Sequence, residues 1–296
     1  MVLAEDERYP ILKNVFDNTT PISTAAEKLA SLSYNDIDGL WNLITHSALK
    51  FPNQQNKLVS ILIHISKLPD AKTNDNQPFI INGKQVWKDL PKFGWYLREE
   101  MEDVETSSKS NPFFKEDKKL EATSTTYTTS SSPPSQQEQE QLQKQIIISD
   151  TTNLHKFMAL LMKTKEPVFS SLSWFALIAL REALEVSPYA SHRMSASGHG
   201  SSLDADILAA AAWIEILGVD IYQWDEQFSG RLGRALDLWK GPSLYGFCKE
   251  RWGFWKVRFG EIAKMQGDDK LGERARNASL EAERRMMDIE NGNVKH

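Results

Sequence analysis

Five residues place a charge or an aromatic donor inside otherwise apolar helical patterns. They are Arg251, Trp255 and Arg258 in RWGFWKVRFGEIAK (251–264), Arg181 in WFALIALREALE (174–185), and Asp220 in LDADILAAAAWIEILGVDIY (203–222). At 100° per residue, Tyr245, Cys248, Trp252, Trp255, Phe259 and Ile262 fall on one stripe. Phe247 and Phe254 make a second apolar line, and Arg251 and Arg258 sit between the two. Such an arrangement buries guanidinium stems among rings and sends their heads toward neighbouring acids, a task that suits arginine better than lysine. The pattern favours structural cations at a helix contact. The alternative is an anion or acidic-peptide site lined by Arg251, Arg258 and Trp255.

Arg181 interrupts the face of Trp174, Leu177, Ile178 and Leu184, and Asp220 interrupts that of Trp213, Ile216, Leu217 and Trp224. An unpaired charge on either face would be very costly. Each is therefore expected to meet an opposite charge, either one another or a rival among Glu182, Glu185, Arg251 and Arg258.

Other chemistry is thinly represented. The sequence has no H-E-x-x-H, paired C-x-x-C, phosphate-binding loop or G-x-S-x-G elbow, so no catalytic residue, metal or cofactor is assigned. SGHGSS (197–202) lacks the third glycine and preceding strand of a dinucleotide fingerprint; it reads as a loop into a helix capped near Ser201 or Ser202. His192 and His199 share that loop without further evident ligands, while His46 and His64 sit on expected helices as packing or surface residues. Asp268 and Asp269 stand between glycines, as solvated turn acids do. The N-x-[ST] matches at Asn18 and Asn277 are expected to be chance without a secretory signal.

These residues need a scaffold of helices. With 296 residues, 41% of them hydrophobic and 10% aromatic, the chain can bury a large core. Its net charge of -5 gives no basic footprint for nucleic acid or an anionic membrane. The single cysteine excludes an internal disulfide, and the amino terminus shows no basic region followed by an apolar run. A cytoplasmic or nuclear location follows as the expectation.

Composition divides the chain into an amino-terminal helical half (1–102), a Ser/Thr/Gln-rich disordered insert (103–149) and a carboxyl-terminal helical half (150–290) that packs on the first. In the first half, Pro21 and the Thr24/Glu27 spacing suggest a capped helix ending near Leu32. Helices follow over 38–51 and 58–68, then a loop with a short strand, FII, and a helix carrying Trp95, Leu97 and Met101. In the second, helices are expected over 152–162, 169–187, 203–224, a short stretch of 230–240, 243–265 and 271–289.

Four pieces, VWKDLPKFGWYLRE (86–99), WFALIALREALE (174–185), LDADILAAAAWIEILGVDIY (203–222) and RWGFWKVRFGEIA (251–263), together resemble a fungal family known as domain of unknown function 3632. The resemblance implies an all-helical fold and a fungal source, and brings no activity, cofactor or catalytic residue.

The sequence thus describes an all-α bundle of two helical halves around its tryptophans. It reads as a non-enzymatic interaction or ligand-binding module with an unknown protein or small-molecule partner. The alternative is a small-molecule enzyme or binder with a pocket between helices, using Arg181, Asp220 and Arg251. A deep cavity lined by convergent polar groups would favour the second reading, and a packed interior beside an open groove the first.

Overall fold

The computed structural model describes residues 3–106, 135–187, 202–229, 234–242, 244–265 and 271–294. Ten α-helices and one two-stranded ribbon are found among them, so the fold is all-α. The chain divides into two compact units, Met1–Ile147 and Ile148–His296.

In the first unit, α1 (Tyr9–Phe16), α2 (Ile22–Leu32), α3 (Ile37–Lys50), α4 (Gln55–Ser66) and α5 (Phe93–Thr106) pack chiefly as α2 on α4, α1 on α2 and α3 on α5. Leu40, Trp41, Leu43, Ile44 and Ala48 bury the face of α3 that helical periodicity predicts. Asp36 caps this helix, accepting a hydrogen bond from Gly39 N at 2.9 Å. By contrast, α2 starts at Pro21 with no side-chain cap, so Thr24 and Glu27 do not form the expected capping box. The short strand extends into a hairpin of β1 (Ile80–Ile81) and β2 (Lys84–Gln85), turned by Asn82 and Gly83 with φ of 51° and 76°. Positive φ at both central residues is what a type I′ turn demands.

After the hairpin the backbone is strained. Trp87, Leu90 and Lys92 hold φ of 72°, 43° and 66°, values unusual for large side chains. Burial of Val86, Trp87 and Leu90 and a hydrogen bond from Trp41 Nε1 to Pro91 O (2.8 Å) hold the segment in place.

The boundary between the units falls inside α6 (Gln136–Lys163). The expected insert therefore ends earlier than residue 149. Ser135 and Glu138 make a reciprocal capping box: Glu138 accepts from Ser135 N and Oγ at 2.8 and 2.9 Å, and Glu138 N donates to Ser135 Oγ at 3.3 Å. The rest of the insert, from 107 to 134, lies outside the described residues, as do His192, His199, Asp268 and Asp269.

The second unit adds α7 (Ser173–Leu184), α8 (Leu203–Gln223), α9 (Lys249–Ala263) and α10 (Glu273–Glu290). Apart from Trp174, every residue of α7 is buried, which makes it the central helix. Together with the preceding 3₁₀ turn, Pro167–Leu184 is by length and mean hydropathy (1.2) sufficient to cross a bilayer, but 72% of it is buried inside the fold. α8 packs on α7 and α10, and α9 on α10 and α7. At Gly218 the helices come close: an added Cβ would lie 2.8 Å from Ile289 Cδ1.

Two stretches expected to be helical are not. α9 begins at Lys249 with Cys248 as its N-cap, not at 243, so Tyr245 leaves the stripe and is exposed. Residues 234–240 of the expected short helix form irregular structure and turns. Tertiary hydrogen bonds take the amides of Leu236 and Leu238 that a helix would have used.

Candidate functional site

The charged centre of the second unit is built on Glu185, the residue that ends α7. Glu185 and Arg251 both have 0% of their surface exposed. Arg251 Nε donates to Glu185 Oε1 at 2.6 Å and Nη2 to Oε2 at 2.9 Å, a bidentate fork. Trp255 Nε1 adds a bond to Oε1 at 2.8 Å, and Leu236 N one to Oε2 at 3.0 Å. An ionised carboxylate offers about four lone-pair sites. All of them are used.

Further donors tie the same centre to residues 234, 238 and 246. Arg251 Nη1 donates to Gly246 O (2.7 Å), Arg181 Nη1 to Arg234 O (3.0 Å), and Leu238 N to Glu185 O (3.0 Å). Arg181 also lies 3.7 Å from Glu182. Burial depresses the Arg181 guanidinium below the usual arginine range, with Glu182 and Glu185 opposing that effect and Arg251 reinforcing it. Arg258 stands at the edge, donating from Nε to Leu184 O (3.1 Å) and pairing with Glu261 through Nη1. Phe247 meets Trp255 edge-on at 6.0 Å and Trp224 at 5.0 Å, closing an aromatic wall around the ion pair.

Four of the five residues singled out from sequence, Arg181, Arg251, Trp255 and Arg258, thus contact Glu185 or its immediate surroundings. Asp220 does not: its carboxylate pairs with Lys165 at 3.2 Å. The buried line of α8 runs through Trp213, Leu217 and Ile221 with Ile214 and Gly218, leaving Asp220 beside half-buried Ile216 on the margin. Arg181 and Asp220 are therefore not partners. Glu185 appeared in the sequence only as one rival acid. Its signal was its position four residues after Arg181, at the end of an apolar helix.

Two more buried polar arrangements escaped the sequence reading. In the first unit, Arg8 donates to Asp6 from Nε and Nη2 (2.8 and 2.7 Å) and reaches Asp36 and Ser33 through Nη1. Burial raises the Asp6 carboxyl, but the hydrogen bonds and charge of Arg8 outweigh it and hold the group below the ordinary aspartate range. In the second unit, His155 Nδ1 accepts from Trp213 Nε1 at 2.9 Å. The ring is fully buried, and desolvation pushes its pKa down to about 4. It is a neutral imidazole that serves as an acceptor.

Among the described residues no group of three or more His, Cys, Asp or Glu is placed to hold a metal ion. The space near the centre is an open groove of about 570 Å³, lined by Gln227, Pro242, Leu244, Tyr245, Cys248 and Glu250. Leu244 and Tyr245 of its lining sit beside Gly246, whose carbonyl Arg251 holds.

No curated protein and no solved structure matches the chain. A family model does, over residues 41–259. The matched span opens at buried Trp41 and closes at buried Phe259, and takes in the strained turn, the central helix and the Glu185–Arg251 fork. The chain belongs to the family described as protein of unknown function, DUF3632.

Proposed function

We propose that this protein is a non-enzymatic interaction module, and that the groove beside Leu244 and Tyr245 receives a protein partner. One observation carries the reading: all lone-pair sites of Glu185 are occupied by the chain's own donors, inside a centre with 0% exposure at both members of the fork. A carboxylate so saturated has no site left for a substrate proton or a ligand cation. Its bonds instead fix the backbone at Leu236 and Leu238, and its partner Arg251 holds that of Gly246, in an irregular path. That path leaves Leu238, Leu244 and Tyr245 with 37%, 40% and 41% of their surface exposed.

Large apolar side chains collected on one segment are what a partner surface needs. Glu250, the one charged residue among the described residues of the groove lining, suits a partner segment that sets an apolar side chain next to a basic one.

Site-specific photo-crosslinking from position 245 in a host extract, with position 280 as an exposed control, identifies the partner. Binding is then reconstituted with the purified pair. Leu244→Asp and Tyr245→Ser are expected to weaken binding at least about tenfold, a loss of about 1.4 kcal/mol. Unchanged affinity in both variants would remove the groove from the account. Turnover of a metabolite that is abolished in Arg251→Gln while the fold is retained would favour the enzyme instead.

A further inference from the structure

A second cavity lies between α8 and α10, formed by residues that the groove does not share. Its volume is about 400 Å³, within the range of roughly 300 to 1,000 Å³ usual for small-molecule sites. Ala211 on α8 and Ala278 and Ala282 on α10 line it with small apolar surface. Val294, just past the end of α10, adds to this apolar lining. The end of α10 explains how: Gly292 N donates to Ile289 O (3.1 Å) and Asn293 N to Asp288 O (2.8 Å), with Gly292 at φ 71°. This Schellman turn reverses the chain and sets Val294 against the cavity.

The charges of the lining are not all spent on one another. Glu281 pairs with Arg284, and Glu215 lies 3.8 Å from Lys156. Arg285 is anchored across the helix pair by its Nε bond to Ile214 O at 3.1 Å, which leaves the two Nη groups as a donor pair. Among the described residues, neither Arg285 nor Asp288 has an ion-pair partner within 4.0 Å, although they stand one turn apart and line the same cavity. A guanidinium with both Nη groups available matches a carboxylate, and a carboxylate matches an ammonium.

We propose that this cavity binds a free aliphatic α-amino acid. Its carboxylate takes the Nη pair of Arg285, its ammonium takes Asp288, and its side chain lies on the alanines toward Val294. An α-amino acid carries the two opposite charges that these groups call for on one carbon, next to an apolar side chain. Ala211 and Glu215 fall within the span matched by the family model, whereas α10, which carries Arg285 and Asp288, lies outside it. The inference is independent of the groove beside Tyr245.

The test is calorimetry together with ligand-observed NMR on the full chain, using L-leucine and L-valine as probes. N-acetyl-L-leucine, which lacks the ammonium, and L-leucine methyl ester, which lacks the carboxylate, serve as comparisons. Saturable binding of a free amino acid is expected, with each blocked analogue at least about tenfold weaker, as loss of one charge-assisted hydrogen-bonded contact implies. Arg285→Gln should weaken it by about tenfold to a hundredfold. Ala211→Leu, at a half-exposed position compatible with the helix, should abolish binding by filling the space while far-ultraviolet dichroism and thermal midpoint stay near the parent. Absence of binding at millimolar probe, equal binding of the blocked analogues, or binding that survives Ala211→Leu would each overturn the proposal.

Discussion

Glu185 shows how much one acid can organise when it ends a buried helix. Its carboxylate and carbonyl together accept from Arg251, Trp255, Leu236 and Leu238. Breaking a buried pair leaves a charge uncompensated, whereas removing both partners does not. Glu185→Gln and Arg251→Gln should each lose roughly 3 to 5 kcal/mol in urea denaturation, and the double variant clearly less than the sum. A sum matching the double would show that the fork contributes no coupling. His155 supports a second prediction at this scale. Its folded pKa of about 4 lies below the ordinary 6.5, so between those values the unfolded chain binds more protons. The contribution is fully present above pH 6.5 and is lost as pH falls toward 4, by roughly 3 kcal/mol. His155→Asn keeps an acceptor for Trp213 and removes the titration. Its stability should fall less steeply over that window, as followed by denaturation midpoints at several pH values.

At the scale of elements, glycines separate helix propensity from close packing. Gly253 lies within α9 with nothing within 4 Å of an added Cβ, so Gly253→Ala should stabilise the protein by about 0.5 to 1 kcal/mol. Gly39 opens α3 against the Arg8 cluster, and a Cβ there would overlap Asp36 Oδ2 and Arg8 Nη2. Gly39→Ala should therefore destabilise despite alanine's higher propensity, by about 1 to 3 kcal/mol. Thermal midpoints of the two variants should move in opposite directions; a shift of both upward would show that the Arg8 cluster yields readily. Element boundaries obey the same local logic. Ser135 and Glu138 start α6 where low apolar content alone suggested continued disorder, because a capping box satisfies helix-end donors without requiring burial.

Across the whole molecule, charged groups hold the second unit together from inside while apolar side chains are shown outside. Leu244→Asp and Tyr245→Ser change exposed side chains and leave the backbone acceptors in place, so each should shift stability by less than about 0.5 kcal/mol even as partner binding falls. A larger loss in denaturation would mark these residues as part of the core. The amino-acid sequence by itself determined the helical class and the inward seam of Trp252, Trp255, Phe259 and Ile262, because a 3.6-residue period puts those side chains on one side whatever lies opposite. It also marked Arg181, Arg251 and Arg258 as cations needing partners, since charge inside an apolar stripe is costly wherever it occurs. Only the tertiary structure chose Glu185 over Asp220 as the acid they surround, and gave 234–240 and 244–248 an anchored irregular path in place of the expected helices. Partner choice depends on which helices come together, and Leu236 and Leu238 give their amides to an acid some fifty residues away. Local periodicity contains no information about a hydrogen bond of that span.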